Sequence, residues 1–168
     1  MKPQLWLSLF LSLVPFTATD ASPAKNLVSQ KRRTVLDYFR LLPIKYFETG
    51  NRQDLLKGEW PRVVDIKNDY LSIQGDGAQP SLEVAIFRYR GIDLVAVSSQ
   101  YGPDFSMELW RLERGKMRLV SDEFGLPSRG ETLHYKLPQF GTTVKIYNSR
   151  GILQSRLFWK DGRFVKAQ

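Results

Sequence analysis

The feature that most constrains this chain is a series of two-residue turn signals, which separate short stretches of alternating apolar and polar residues. Gly at the second loop position permits the positive φ angles of tight hairpin turns. The pattern predicts a mainly β fold, an antiparallel meander of about ten short strands that forms a sandwich or a partly closed barrel. The turn signals are Asn68-Asp69, Arg90-Gly91, Arg114-Gly115, Arg150-Gly151 and Asp161-Gly162.

The alternation within these stretches predicts which side chains are buried, because successive residues of a strand point to opposite faces. The hairpin over 82–99 is apolar on both parities, so we expect it to be central and covered on both sides. Apolar residues at alternate positions of the strands predict one core face. The residues of this predicted core face are Leu82, Val84, Ile86, Phe105, Met107, Leu109, Val144, Ile146, Leu153, Leu157 and Trp159.

One amphipathic helix precedes the meander and is the natural cover for the central hairpin. The region 26–42 places Val35, Phe39 and Leu42 on one helical face. Thr34 and Asp37 have the spacing of a capping box, and Pro43 ends the pattern, so the helix is best defined over 34–42.

Residues 1–24 have the three-part pattern of a secretory signal peptide. Lys2 precedes an apolar run over 5–16, and small or polar residues follow. The run is shorter than the roughly 20 residues that a membrane-spanning helix needs. We therefore expect cleavage after Ala21 or Ala24 and export to the periplasm or the exterior.

The mature chain is predicted to be one domain. A basic helical segment and connector, residues 25–62, packs on the β meander of residues 63–168. No later stretch approaches 18 consecutive apolar residues, so no transmembrane segment is expected in the mature chain.

Composition excludes several kinds of site. The chain has no Cys and a single His, His134, so Cys/His zinc sites, disulfides and Cys nucleophiles are ruled out. No motif identifies a cofactor or a metal. A carboxylate pair for glycoside hydrolysis is open, although spacing does not select one. The sequence thus predicts a non-catalytic binding protein. The carboxylates available for such a pair are Glu83, Glu108, Asp122, Glu123 and Glu131.

The net charge of +8 suggests an anionic partner. Opposite to the core parity, cations alternate with aromatic rings, a combination that can hold anionic groups and stack on rings. The alternative is that long Lys and Arg stems shield an ordinary half-exposed sheet. The predicted binding residues on this face are Trp110, Arg118, Lys136, Lys145, Tyr147, Arg156 and Phe158.

A second basic cluster consists of Lys31, Arg32 and Arg33, either on the helix or in a solvated arm before it. Residues 25–62 carry a net charge of +5 and residues 63–168 a net charge of +3. The leading hypothesis is binding of an anionic cell-envelope component. The alternatives are an inhibitor or accessory protein that binds another exported protein through a sheet edge or hairpin loop, and a barrel-type carrier of an apolar ligand. A nucleic-acid partner is not favoured.

Overall fold

Ten strands in two antiparallel sheets form the framework of the part of the chain that the structure describes. The computed structural model describes residues 32–47, 52–58, 60–102, 104–124, 126 and 133–166. The helices are α1 (Val35–Phe39) and α2 (Arg52–Lys57), with 3₁₀ helices at Ile44–Tyr46 and Ser121–Phe124. The strands are β1 (Arg62–Asp65), β2 (Tyr70–Ile73), β3 (Ser81–Tyr89), β4 (Ile92–Tyr101), β5 (Asp104–Glu113), β6 (Lys116–Leu119), β7 (His134–Lys136), β8 (Thr143–Tyr147), β9 (Leu153–Lys160) and β10 (Arg163–Lys166).

The prediction of a mainly β fold built from an antiparallel meander is confirmed. Strands β1 to β6 follow one another in a six-stranded sheet, and a four-stranded sheet has the order β10-β9-β8-β7. The turns Arg90-Gly91, Arg114-Gly115 and Asp161-Gly162 have positive φ at both positions. This is the conformation that two-residue hairpins require, so local sequence alone sets these three turns.

One face of the six-stranded sheet is covered by the helical segment. Val35, Phe39 and Leu42 are fully buried against the sheet, as the helical spacing predicts. The Thr34 side chain accepts from the Asp37 backbone N–H, and the Asp37 carboxylate accepts from the Thr34 N–H, which completes the capping box. Helix α1 ends at Phe39 and is therefore shorter than the predicted helix over 34–42. Residues 26–31 lie outside the described residues.

The other face of the six-stranded sheet packs against the four-stranded sheet. Ala85, Phe87 and Leu94 of the central hairpin join Met107 and Leu109 there. The facing strands contribute the buried side chains Tyr135, Val144, Ile146 and Leu157. The central hairpin is therefore covered on both sides, as predicted.

The predicted single core face is wrong in one respect, since its members belong to two cores. Leu82, Val84 and Ile86 pack on the helical segment, which we call the helix-side core. Met107 and Leu109 pack between the sheets, in the inter-sheet core. Because the six-stranded sheet is covered on both faces, neither set of alternate side chains in its central strands faces solvent. An exposed polar sheet face must therefore lie elsewhere.

In the described part of the chain, no helix is long and apolar enough to cross a membrane.

Candidate functional site

Three cations form a row across the outer face of the four-stranded sheet. Lys136 of β7 is the register partner of Lys145 in β8, and Lys145 is the partner of Arg156 in β9. Directly opposite side chains have Cβ atoms about 5 Å apart. Lys136, Lys145 and Arg156 are all exposed. The structure thus brings together three of the predicted binding residues, and we call them the basic row.

Aromatic and apolar side chains flank the basic row on the same face. Phe158 is 41% exposed and lies opposite Thr143 on one side and Val165 on the other. On the other flank, Tyr147 is the register partner of His134, with ring centroids 6.1 Å apart. The predicted combination of cations and rings is therefore present on this sheet for Tyr147 and Phe158.

The charge of this sheet is far from the average of the chain. Residues 133–166 contain seven Lys or Arg and one acidic residue, Asp161, a net charge of +6. Residues 63–132 contain eight Lys or Arg and eleven Asp or Glu, a net charge of −3. The net charge of +3 over residues 63–168 conceals this contrast. The sequence analysis therefore did not identify residues 133–166 as strongly basic.

Most cations of the outer face have no counter-ion in the part of the chain that the structure describes. Lys145, Arg156, Lys160 and Arg163 form no ion pair with a carboxylate in the described residues. Like charges on adjacent strands destabilise a sheet unless solvent or an anion screens them. The surface is therefore electrostatically suited to an anionic ligand.

Lys136 differs from the rest of the basic row because it also holds β7 in place. Its ammonium pairs with Glu83 of β3, and the other Glu83 oxygen accepts from the Leu137 N–H at 2.8 Å. The Ser98 hydroxyl donates to the Tyr135 carbonyl oxygen at 2.6 Å. These bonds connect β7 to β3 and β4, so one end of the basic row is fixed on the larger sheet.

Trp110 is not on the exposed face, and the prediction that it is exposed is wrong. Its side chain is 7% exposed and belongs to the helix-side core. Its indole N–H donates to the Tyr46 hydroxyl at 2.9 Å, and that hydroxyl donates to the buried Glu108. Burial and Glu108 raise the pKa of Tyr46. The physical reason is that the 3₁₀ helix Ile44–Tyr46 covers the outer parity of β5.

Arg118 is exposed, as predicted, but it lies on the other sheet. It is in β6, and its guanidinium pairs with Glu113 and Glu123 at 2.7 Å each. These hydrogen bonds lower the pKa of both carboxyls. Arg118 is thus neutralised locally and does not extend the basic row.

The N-terminal basic cluster is also used in part by the fold. Lys31 lies outside the described residues. Arg32 is exposed and pairs with Asp69 at 2.6 Å. Arg33 is exposed, and its carbonyl oxygen accepts from Arg88 at 2.7 Å. Arg32 and Arg33 therefore attach the start of α1 to the six-stranded sheet.

Glu83 and Glu108, two of the described carboxylates considered for glycoside hydrolysis, do not face each other. Glu83 points into the space between the sheets, whereas Glu108 lies on the helix side of the same sheet. Asp122 and Glu123 are exposed, and Glu123 is paired with Arg111 and Arg118. Glu131 lies outside the described residues.

His134 lies beside the basic row, next to an open groove. Its ring stacks on Phe105, with centroids 4.7 Å apart and planes at 27°. Burial lowers the pKa of His134, with Glu83 and Lys136 acting in opposite directions. The imidazole is therefore neutral at neutral pH, which leaves it one donor and one acceptor.

Comparison of this chain with protein-family models, with curated proteins and with solved structures found no match.

Proposed function

We propose that the mature chain is an exported, non-catalytic binding protein that holds an anionic polymer of the cell envelope on its four-stranded sheet. The observation that carries the proposal is the pair Lys145 and Arg156 of the basic row, side by side on a sheet of net charge +6, while Lys136 at the end of the row is already paired with Glu83. Lys145 and Arg156 have no carboxylate partner in the described residues, so their charges are available to a ligand. Phe158 and Tyr147 supply rings at its flanks.

The spacing of the basic row favours an extended ligand. Lys145 and Arg156 lie about 5 Å apart across the strands, and Lys160 and Arg163 continue the exposed positive charge on β9 and β10. A polymer with one negative charge per repeat meets several of them at once, and the weak single contacts then add up. Exposed ion pairs contribute little individually, so this additive arrangement is what gives useful affinity.

The test measures binding to immobilised polygalacturonate and to immobilised polyphosphate as a function of salt. We expect Lys145→Glu and Arg156→Glu each to weaken binding at least about tenfold at low ionic strength. Wild-type binding should fall steeply between about 0.05 M and about 0.5 M NaCl, because the contacts are exposed. The matched control is Lys57→Glu on α2, the same charge change on the helical layer.

Loss of affinity in Lys57→Glu as large as in Lys145→Glu would show that total charge, and not the four-stranded sheet, drives binding. Wild-type binding that does not change with salt would contradict the proposal outright. Export is tested separately by sequencing the N-terminus of the mature chain, which we expect to begin at Ser22 or Lys25.

A second candidate function is binding of another exported protein through a sheet edge. Strand β1 is an edge of the six-stranded sheet, and Val63, Val64 and the adjacent Ile66 are exposed there. Edge strands with apolar side chains can accept a strand from a partner. Capture of a protein from an envelope fraction that resists salt and is lost in Val64→Lys would favour this function over polymer binding.

The described interior gives less support to the carrier of an apolar ligand. Phe87, Trp159 and Phe164 pack against one another in the inter-sheet core, with ring centroids 5.0 to 5.7 Å apart. Such close aromatic packing occupies the space in which a carrier holds its ligand.

A further inference from the structure

The outer face of the four-stranded sheet carries two apolar side chains among its cations. Val165 of β10 is the register partner of Phe158 in β9, and they are 40% and 41% exposed. Their neighbours Trp159 and Phe164 pack against the inter-sheet core, so Phe158 and Val165 point to the opposite, outer face. We call Phe158 and Val165 the apolar pair. They present adjoining apolar surface to the solvent.

Two pairs of cations lie on either side of the apolar pair. Lys160 and Arg163 are register partners on one side, and Lys145 and Arg156 are register partners on the other. All four are exposed, and none forms an ion pair with a carboxylate in the described residues. Residues two apart on a strand are separated by roughly 7 Å, so each cation pair lies one such step from the apolar pair.

The apolar pair and the two cation pairs form one continuous patch, because they share a face of three neighbouring strands. These strands, β8, β9 and β10, lie about 4.8 Å apart in the sheet. Asp161, the one acidic residue of 133–166, lies in the turn between β9 and β10. At the end of the same sheet, Phe140 precedes β8 and is 72% exposed. The residues that we call the outer patch are Lys145, Arg156, Phe158, Lys160, Arg163 and Val165.

The outer patch combines the two kinds of group that hold a protein on an anionic bilayer. Lys and Arg side chains are attracted to acidic headgroups, and apolar side chains beside them enter the boundary between headgroups and acyl chains. The four unpaired cations make the patch complementary in charge to such a surface. A ligand that has only charged groups, such as polyphosphate, leaves the apolar pair in water. The apolar pair therefore favours a lipid surface as the partner of this patch.

We infer that the outer patch docks the chain on a lipid bilayer that carries acidic headgroups. The four cations contact lipid phosphates, and the apolar pair lies at the level where the headgroups meet the acyl chains. The docking is peripheral and reversible, since only two side chains enter the interface. The inference goes beyond the proposed function, with which it shares Lys145 and Arg156, because it adds a lipid surface to the polymer as a partner.

The absence of Cys from the chain allows a direct test, because one introduced Cys carries one label. We attach the environment-sensitive fluorophore NBD to Val165→Cys in the full mature chain. Vesicles of phosphatidylglycerol and phosphatidylcholine should shift its emission to shorter wavelength in a saturable way, because the label leaves water. Pure phosphatidylcholine vesicles and polyphosphate should leave the emission unchanged.

The matched control for the label is Val64→Cys. Val64 is 39% exposed on the edge strand β1 and lies opposite Leu71 of the helix-side core, so it points to the other side of the molecule. An NBD label there should not respond to the anionic vesicles.

A variant without the apolar surface separates lipid docking from charge. Phe158→Ser combined with Val165→Ser keeps all four cations, and we expect at least about tenfold weaker binding to the anionic vesicles. Polyphosphate binding should weaken no more than about threefold. The matched control is Leu41→Ser combined with Val64→Ser, two residues of 41% and 39% exposure outside the patch. It should bind the vesicles as the wild type does.

The outcomes separate failure of the lipid docking from failure of the proposed function. If the Val165→Cys label does not respond to anionic vesicles, or if the double serine variant binds them as tightly as the wild type, the lipid docking is overturned. Polymer binding that is weakened in Lys145→Glu then still supports the proposed function. If the vesicles shift the Val165→Cys label but no polymer binds, the proposed function is wrong and the lipid docking stands. Equal binding to pure phosphatidylcholine vesicles would overturn the role of the four cations and the docking on acidic headgroups.

Discussion

Arg88 of the six-stranded sheet lies between two carboxylates, whereas Lys145 and Arg156 of the four-stranded sheet lie side by side with no carboxylate partner among the described residues. Arg88 donates to both oxygens of Asp69 at 2.8 Å and also pairs with Asp93. Asp93 in turn accepts from the Tyr38 hydroxyl at 2.8 Å, which connects the network to α1. Burial and Asp93 raise the pKa of Tyr38 to about 12. We call these four residues the Arg88 network.

The difference shows that a basic residue supports a binding function only when no carboxylate of the same chain is paired with it. In the six-stranded sheet, Arg88, Arg111 and Arg118 have carboxylate partners and connect elements of the fold, whereas Arg62 and Lys116 at its edge strands form no ion pair in the described residues. On the outer face of the four-stranded sheet, the sequence supplies one acidic residue between 133 and 166. The first set of charges stabilises structure, and the second set is available to a ligand.

Replacing Arg88 should have the largest effect on stability. Arg88→Met leaves the partly buried Asp93 without a cation and Asp69 with Arg32 alone, and breaking a buried charge network costs about 3 kcal/mol in unfolding free energy. Urea unfolding followed by tryptophan fluorescence measures this. Polyanion binding by the folded variant should equal that of the wild type. A variant as stable as the wild type would show that the network is not structural.

Acid should weaken the same network. Burial raises the pKa of Asp69, but the hydrogen bonds and charges of Arg88 and Arg32 outweigh burial and hold it below its usual value. The unfolded chain therefore takes up this proton first, at its ordinary pKa of about 3.9. The stabilisation is present above that pH and is lost as the pH falls through the lower folded-state pKa.

Unfolding midpoints in urea at about pH 7 and about pH 3 check this expectation. Asp69→Asn is the control, since it has no proton to take up and should lose less stability between the two pH values. An Asp69→Asn variant with the full acid sensitivity of the wild type would assign that sensitivity to other carboxyls.

Two aromatic residues sharpen the comparison between the sheets. Trp110→Phe removes the indole donor to the Tyr46 hydroxyl, so we expect a loss of about 1 kcal/mol in unfolding free energy and unchanged polyanion binding. Phe158→Ala changes an exposed ring, and stability should stay within about 0.5 kcal/mol. Binding of polygalacturonate should weaken about threefold in Phe158→Ala, because the ring flanks the basic row. Weaker binding in Trp110→Phe together with unchanged binding in Phe158→Ala would falsify the placement of the binding surface.

Arg118 provides the smallest expected effect and the sharpest test of neutralisation. Arg118→Gln removes an exposed cation that Glu113 and Glu123 already neutralise. Both the unfolding midpoint and the affinity for polyphosphate should change little. A loss of affinity comparable to that of Arg156→Glu would place Arg118 back in the binding surface.

Local rules explain why much of the fold was predictable. The positive φ angles at Arg90-Gly91 and Asp161-Gly162, and the capping box of Thr34 with Asp37, involve residues within three positions of each other. Such features depend only on residues that are close in the sequence. Turns, strand positions and the start of the helix can therefore be predicted from the sequence.

The candidate site was predictable only in part. The alternation of residues along a strand separates its two faces, but it does not say which face is exposed to solvent. Lys136, Lys145, Tyr147, Arg156 and Phe158 were placed together correctly on an outer face. The same parity rule failed for Trp110, because the 3₁₀ helix at Ile44–Tyr46 covers that face of β5.

The sequence by itself determined the hairpins, the number of strands and the amount of positive charge. The tertiary structure decided which charges are neutralised and which faces are covered. Glu83 meets Lys136 across 53 positions of the chain, and Arg88 meets Asp69 across 19. Ion pairing and burial depend on such distant contacts, and the packing of the two sheets and the helical layer brings them about.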